Sequence, residues 1–122
     1  MVAYVCGMAR TVLVVDDSSA FRATARMLLQ ARGYDVVGVA EDVASGLAKA
    51  AELRPDCVLM DVNLPDGDGL SAAARIDGDT VVVLVSTLEE SAIGDVQASG
   101  ARGFVPKSEL ASPRLVELLG PP

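Results

Sequence analysis

Thr11-Val12-Leu13-Val14-Val15-Asp16-Asp17 is a run of β-branched and aliphatic residues that ends on two acids, and Cys57-Val58-Leu59-Met60-Asp61 repeats the form later in the chain. Neither run alternates apolar with polar residues. Strands written this way are buried on both faces, which is the condition of a parallel sheet covered by helices on both sides. Val36 to Ala40, Val81 to Val85 and Gly103 to Val105 are three more runs of the same kind.

Helical patterns lie between these runs. Phe21, Ala25, Leu28 and Leu29 follow the i, i+4, i+7, i+8 spacing of one helix face, with Ser18 or Ser19 as N-cap and Gly33 just beyond the end. Val43 to Leu53 predicts a second helix, stopped at Arg54-Pro55 because a residue before proline is pushed out of the α region. Gly69 to Ile76 predicts a third, ended by Asp77-Gly78-Asp79, and Glu89 to Ser99 a fourth, with two acids in its first turn and Gly100 behind it. Ser112-Pro113 opens a fifth, with serine as cap and proline at the first helical position, and Gly120 closes it. Strand then helix, five times over with short connections, gives a doubly wound α/β fold: a five-stranded parallel sheet with helices on both faces. Residues 10–120 read as one domain and residues 1–9 as a poorly ordered N-terminal extension.

Composition removes several function classes. The chain has 122 residues, 51% of them hydrophobic but only 3% aromatic, so the core is built from Val, Leu, Ile and Ala. A net charge of -7 argues against nucleic acid or an anionic membrane as a partner of this domain, since phosphate recognition needs clustered Lys and Arg. With no histidine, imidazole triads and a phosphohistidine on this chain are excluded. Cys6 and Cys57 do not form a CxxC pair, and Cys57 within its apolar run reads as a small buried thiol. The apolar stretch before Arg10 is too short to span a bilayer and lacks a basic leader region, so a cytoplasmic location is expected.

In open parallel sheets ligands bind beyond the carboxyl ends of the strands. Asp16 and Asp17 follow the first strand and Asp61 the third, so neighbouring strands would bring three carboxylates together. A lone strand-end aspartate often does no more than cap a turn. Three converging acids need shared protons or a cation, and an all-oxygen site suits Mg2+. Like-charge repulsion also implies that removing Asp16 and Asp17 leaves stability unchanged or raises it. Ser86-Thr87 follow the fourth strand and Lys107 the fifth. A hydroxyl, an ammonium, a metal and a carboxylate on one layer can bind a phosphoryl group and transfer it to an acid.

The segments Val14-Val15-Asp16-Asp17, Leu59-Met60-Asp61-Val62-Asn63-Leu64-Pro65-Asp66-Gly67-Asp68-Gly69, Val85-Ser86-Thr87 and Gly100-Ala101-Arg102-Gly103-Phe104-Val105-Pro106-Lys107 resemble, in order and spacing, the receiver domain of two-component response regulators. The resemblance runs from about Arg10 to the end of the chain. It implies a flavodoxin-like fold with strand order 2-1-3-4-5. It also implies Asp61 as phosphoacceptor, and Mg2+ held by Asp16, Asp17, Asp61 and the backbone carbonyl of Asn63. Lys107 would be the phosphoryl-binding cation, Ser86 the switch hydroxyl and Phe104 the switch aromatic. The implied phosphodonor is a sensor histidine kinase or a phosphotransfer protein, and the output is a downstream protein or an attached output domain. Turnover of an external substrate, that is, enzyme activity, is not expected on this reading.

The chain departs from the family pattern in places. The stretch from the third helix to the fourth strand is short, so that helix or its loop must be clipped. Lys107 precedes Ser108, where many members have proline and a cis bond; Leu88, apolar where some members carry a polar residue, points to a longer-lived phosphoryl group; and the fifth helix has room for about two turns. Rival readings fit less well. An EF-hand loop from Asp61 fails at Pro65 and lacks its closing glutamate, and a phosphate-binding loop lacks its glycine run. An aspartate-nucleophile phosphatase wants a second aspartate two residues after the nucleophile, where Asn63 or Ser18 stands. A pseudo-receiver that binds partners without phosphorylation, or the receiver part of a longer transcriptional regulator, are the alternatives within the fold.

Overall fold

The structure is a computed structural model that describes residues 9–87 and 94–122. Its five-stranded sheet contains β1 (Thr11–Val15), β2 (Asp35–Ala40), β3 (Cys57–Asp61), β4 (Val81–Ser86) and β5 (Gly103–Pro106). All pairings are parallel and the spatial order is β2-β1-β3-β4-β5, the expected arrangement. The apolar runs are strands because both of their faces find cover: Val12 to Val15 and Cys57 to Met60 are completely buried. On one face Val12, Val14, Leu59, Val83 and Val105 pack with Ala25 and Leu29 of α1 (Ser19–Ala31) and with Leu115 and Leu119 of the C-terminal helix, Pro113–Leu119. On the other, Leu13, Val15, Met60, Leu84 and Phe104 pack with Val43 of α2 (Val43–Leu53) and with Ala72 and Ala73 of α3 (Gly69–Ala73). The C-terminal helix is α4.

The helix ends follow the sequence signals. Ser18 caps α1 by accepting from the Phe21 N–H, and Gly33 beyond it has φ +99°. Helix α2 spans the expected residues and stops at Arg54, which turns left-handed at φ +47° ahead of Pro55. Gly120 ends α4, whose last carbonyls are tied to the body: Tyr34 donates its hydroxyl to Gly120 O, the buried Cys57 thiol meets Leu119 O at 3.5 Å, and Arg102 reaches Leu118 O. The described residues contain no cis peptide bond, so Lys107–Ser108 is trans.

Two helices differ from expectation. The third ends at Ala73 rather than Ile76, because Arg75 and Ile76 donate three residues back, to Ala72 and Ala73, in a tightened turn. Asp77 then accepts from Asp79 and Thr80 in a compact turn leading directly into β4. This clipping leaves a cavity of about 770 Å³ between Leu47 and Ala50 of α2 and Arg75 and Ile76, beside the entry ends of the strands. Of the expected helix Glu89 to Ser99, residues 88–93, Leu88 included, lie outside the described residues, as does all of the 1–9 extension but Ala9. The described remainder is a single 3₁₀ turn, Gln97–Ser99. Gly94 at φ +104° and the Asp95 carboxylate, which takes the Ala98 N–H, offer the backbone a turn in place of a helix.

A two-residue antiparallel ladder, Asn63–Leu64 against Gly67–Asp68, stands between β3 and α3. Its turn residue Asp66 reaches over to α2 and accepts from Val43 N–H at 2.7 Å and Ala44 N–H at 3.0 Å. With Asp42 accepting from Ser45 N–H, the first turn of α2 is left with satisfied donors. These backbone hydrogen bonds hold the Asp66 carboxyl below its ordinary range. A depressed carboxyl stabilises the fold above its unfolded pKa of about 3.9 and loses that contribution as pH falls through the folded value. Urea titrations of wild type and Asp66→Ala are therefore expected to show a lower midpoint for the variant at neutral pH and a gap that closes below about pH 4; a gap of constant size down to pH 3 would refute the charge-dependent cap.

Candidate functional site

Strand register brings the acids together. Val15 pairs with Met60, so the next residues, Asp16 and Asp61, leave neighbouring strands at one level. The Asp16 N–H carries the ladder one step further by donating to Ala40 O at 3.0 Å, and the Val62 N–H does the same toward Val85 O. Ser86 closes β4 opposite Pro106, and Lys107 follows directly. Asp16, Asp17, Asp61, Asn63, Ser86 and Lys107 thus sit at or just past the carboxyl ends of the strands, away from the cavity at their entry ends.

Oxygens of Asp16, Asp17 and Asp61 lie within 4.8 Å of one another, with Asp16 and Asp61 buried and Asp17 exposed. Lys107 enters this cluster as its internal cation: its Nζ stands 2.6 Å from Asp16 Oδ2 and 3.2 Å from Asp61 Oδ2. The second oxygens are held by backbone: Asp16 Oδ1 accepts from Ser18 N–H at 2.8 Å and Asp61 Oδ1 from Asn63 N–H at 3.1 Å. Arg22 adds a hydrogen bond to the Asp16 carbonyl at 2.7 Å.

Burial pushes the Asp61 carboxyl up; the Asn63 N–H pulls it back, the charge of Asp16 pushes it further, and Lys107 opposes both without cancelling the rise. For Lys107, burial disfavours the ammonium, but Asp16 and Asp61 outweigh it and the net shift is upward, so the side chain is charged at neutral pH. Among the described residues no aligned hydrogen-bond donor reaches the fully buried Asp16 Oδ2, which has the Lys107 ammonium beside it as an ion pair. A cluster of acid oxygens with one such atom, and no thiolate or imidazole among its members, fits a hard divalent cation such as Mg2+.

Ser86, Phe104 and Asn63 are the other residues named from the sequence. Ser86 is 1% exposed at the end of β4, and Phe104 is 2% exposed, level with Leu84 and packed on the α2 and α3 side. Asn63 begins the small ladder, two residues past Asp61.

Sequence reasoning overlooked Gly69. Its N–H donates to Val62 O at 2.7 Å, and a Cβ on it would come within 2.2 Å of Asp61 O and 2.9 Å of Val62 Cα. Only glycine lets α3 start against the end of β3 and fold the loop back under Asp61. Asp66 was overlooked too, since its partners lie 23 residues away.

Residues 12–119 match the response regulator receiver domain family. The chain belongs to that family. Across 89% of its length it is 41% identical to a protein-glutamate methylesterase/protein-glutamine glutaminase of Myxococcus xanthus, and across 82% it is 33% identical to the chemotaxis protein CheY of Bacillus subtilis. The response regulator domain of Thermotoga maritima CheB superposes with a TM-score of 0.81 at 30% identity, covering 91% of this chain and 93% of that one. The receiver domain of a NarL response regulator from Mycobacterium tuberculosis gives 0.80 at 32% identity, with 92% and 98% covered. The receiver therefore spans 33% of the Myxococcus relative but 87% of the Bacillus one. These relatives correct one expectation. A receiver of this kind was expected to stand apart from enzyme activity, yet several proteins it matches at 40–41% identity are named as methylesterase and glutaminase enzymes, with the match confined to about a third of their length.

Removing Asp16 relieves its repulsion of Asp61, but the geometry sets a loss against that relief. Asp16 is the closer partner of Lys107 and holds the Ser18 N–H, so its loss leaves an ammonium and an amide underserved. In metal-free buffer Asp16→Ala is expected to lower unfolding stability by about 1–3 kcal/mol, and Asp17→Ala to stay within about 0.5 kcal/mol of wild type; equal effects would refute the assignment. Gly69→Ala is expected to lose more than about 2 kcal/mol by the same denaturation measurement, and a midpoint near wild type would show that the loop has another way to pass.

Proposed function

We propose that this receiver is a phosphorylation-dependent switch in which Asp61 accepts a phosphoryl group from a sensor histidine kinase or a phosphotransfer protein. The observation that carries the reading is Lys107 Nζ lying between Asp16 Oδ2 and Asp61 Oδ2. A cation already bound to the acceptor oxygen is placed to follow that oxygen's charge onto the oxygens of an arriving phosphoryl group.

An Asp61 oxygen attacks phosphorus in line, a new P–O bond forms, and the bond from phosphorus to the donor breaks, with the electron pair leaving on the donor. Lys107 neutralises charge on the phosphoryl oxygens, and the Ser86 hydroxyl at the neighbouring strand end donates a hydrogen bond to one of them. Asp16, Asp17, Asp61 and the Asn63 carbonyl would hold Mg2+, which when bound supplies further neutralisation of the transferring group. Burial of Asp61 among Met60, Val62 and the strand ends keeps competing water away from its attacking oxygen.

Ser86 and Phe104 lie on adjacent strands, in the proposed roles of switch hydroxyl and switch aromatic. Movement of Ser86 toward a phosphoryl group frees space that Phe104 can use, and the surface around β5 and α4 carries the change. The output is a downstream protein or an output domain of a longer chain, and the methylesterase relatives favour the second, with a receiver of this size joined to a larger effector. A cytoplasmic location fits a phosphoryl donor of this class, and among the described residues no helix is long and apolar enough to cross a membrane.

The test is intact mass after incubation with acetyl phosphate, with and without Mg2+, for wild type and Asp61→Asn. The expected outcome is a Mg2+-dependent gain of one phosphoryl group by wild type and none by the variant. Full labelling of Asp61→Asn would remove Asp61 as the acceptor, and the absence of labelling from acetyl phosphate and from a phosphorylated kinase alike would mark a pseudo-receiver.

A further inference from the structure

The ring of Phe21 lies over Lys107, with Nζ 4.4 Å from the ring centroid. On sequence alone Phe21 is one apolar residue of the α1 face, and it does pack against the core on that side. Its placement is nonetheless tied to the acidic site at both ends. Asp16 Oδ1 accepts from Ser18 N–H, Ser18 Oγ accepts from Phe21 N–H, the Phe21 ring faces Lys107 Nζ, and Lys107 Nζ returns to Asp16 Oδ2. These contacts close a circuit through Asp16, the first turn of α1 and the lysine.

The geometry points to Phe21 as a positioning residue for phosphoryl transfer: its ring face holds the Lys107 ammonium over the acceptor oxygen. This rests on the reading of Asp61 as acceptor and deepens it. The chemistry of the ring sets it apart from the other two partners. Asp16 and Asp61 are oxygen ligands that a metal or a phosphoryl group competes for, so during the reaction Lys107 must loosen its hold on them. An aromatic face attracts a cation through its quadrupole and has no lone pair for a metal or phosphate to engage. Phe21 therefore remains a partner of the ammonium while the carboxylates are re-engaged. It also removes one side of Nζ from water and narrows the freedom of a long, flexible side chain. Ala20, Leu28 and Leu110 line the same groove and supply apolar walls, but only Phe21 has a ring to present to the charge.

Four proteins decide the matter: wild type, Phe21→Leu, Phe21→Tyr and Leu28→Ala, each with its second-order rate of labelling by acetyl phosphate in saturating Mg2+, its urea midpoint, and the proton shifts of the Lys107 methylene next to Nζ. Phe21→Leu is expected to label about 3- to 30-fold more slowly and to lose the upfield ring-current shift at Lys107, while Phe21→Tyr keeps both near wild type. Leu28→Ala removes apolar packing from the same helix but leaves the ring over the lysine, and is expected to lower the urea midpoint but not the labelling rate. Labelling of Phe21→Leu at the wild-type rate overturns the proposal and leaves the acceptor reading intact, as does a Leu28→Ala protein slowed as much as Phe21→Leu. Wild type that takes no label from acetyl phosphate or from a kinase overturns the acceptor reading, and this proposal with it.

Discussion

Three carboxylates at one end of a parallel sheet, two of them buried, form an arrangement that repels itself, and the rest of the site is organised around the single ammonium that makes it tenable. Lys107 meets Asp16 and Asp61 at ion-pair distance, while backbone amides two residues beyond each acid take the remaining oxygens. Like charges in a poorly hydrated place are tolerated when a cation and oriented donors face them. The balance is local and incomplete: Asp61 remains shifted upward, chiefly because it is buried, with the charge of Asp16 adding to the rise. On the proposed reading, a phosphoryl group arriving with a cation would change that balance.

The loop beyond Asp61 has two obligations. It must clear Asp61, which Gly69 permits by lacking a Cβ where Asp61 O would be struck, and it must be anchored, which Asp66 accomplishes by capping α2. The small ladder of Asn63–Leu64 with Gly67–Asp68 holds both residues at the required spacing. Asp61 is in this way connected by short, hydrogen-bonded backbone to the start of the helix on its flank.

Most of this was legible before any coordinates. Unalternating apolar runs marked the strands, and Ser18, Gly33, Arg54-Pro55 and Ser112-Pro113 marked helix ends, because each signal depends on local backbone chemistry. Asp16, Asp61, Ser86 and Lys107 could be placed together because position after a strand and sheet topology suffice to put them on one edge. What escaped depends on partners distant in sequence. Asp66 reads as an ordinary turn aspartate until α2 is seen beside it, and Phe21 as an ordinary core residue until Lys107 is seen under its ring. The third helix was drawn too long because apolar spacing continues to Ile76 while the backbone has already tightened. The described part of the expected fourth helix failed on Gly94 and Asp95, whose local turn chemistry outweighs the apolar pattern around them.

The sheet divides the interior into two chambers that share no side chain: alternate residues of β1, β3, β4 and β5 belong to one or the other. Phe104 projects into the chamber of α2 and α3, and its neighbour Val105 into that of α1 and α4. The second chamber is closed by ties from Tyr34 and Cys57 onto the carbonyl end of α4. Any displacement of Phe104 is therefore delivered to one side of the wall. The layer of α2 and α3 would receive such a push, while the layer of α1 and α4 is the one that side-chain ties fasten at its carbonyl end.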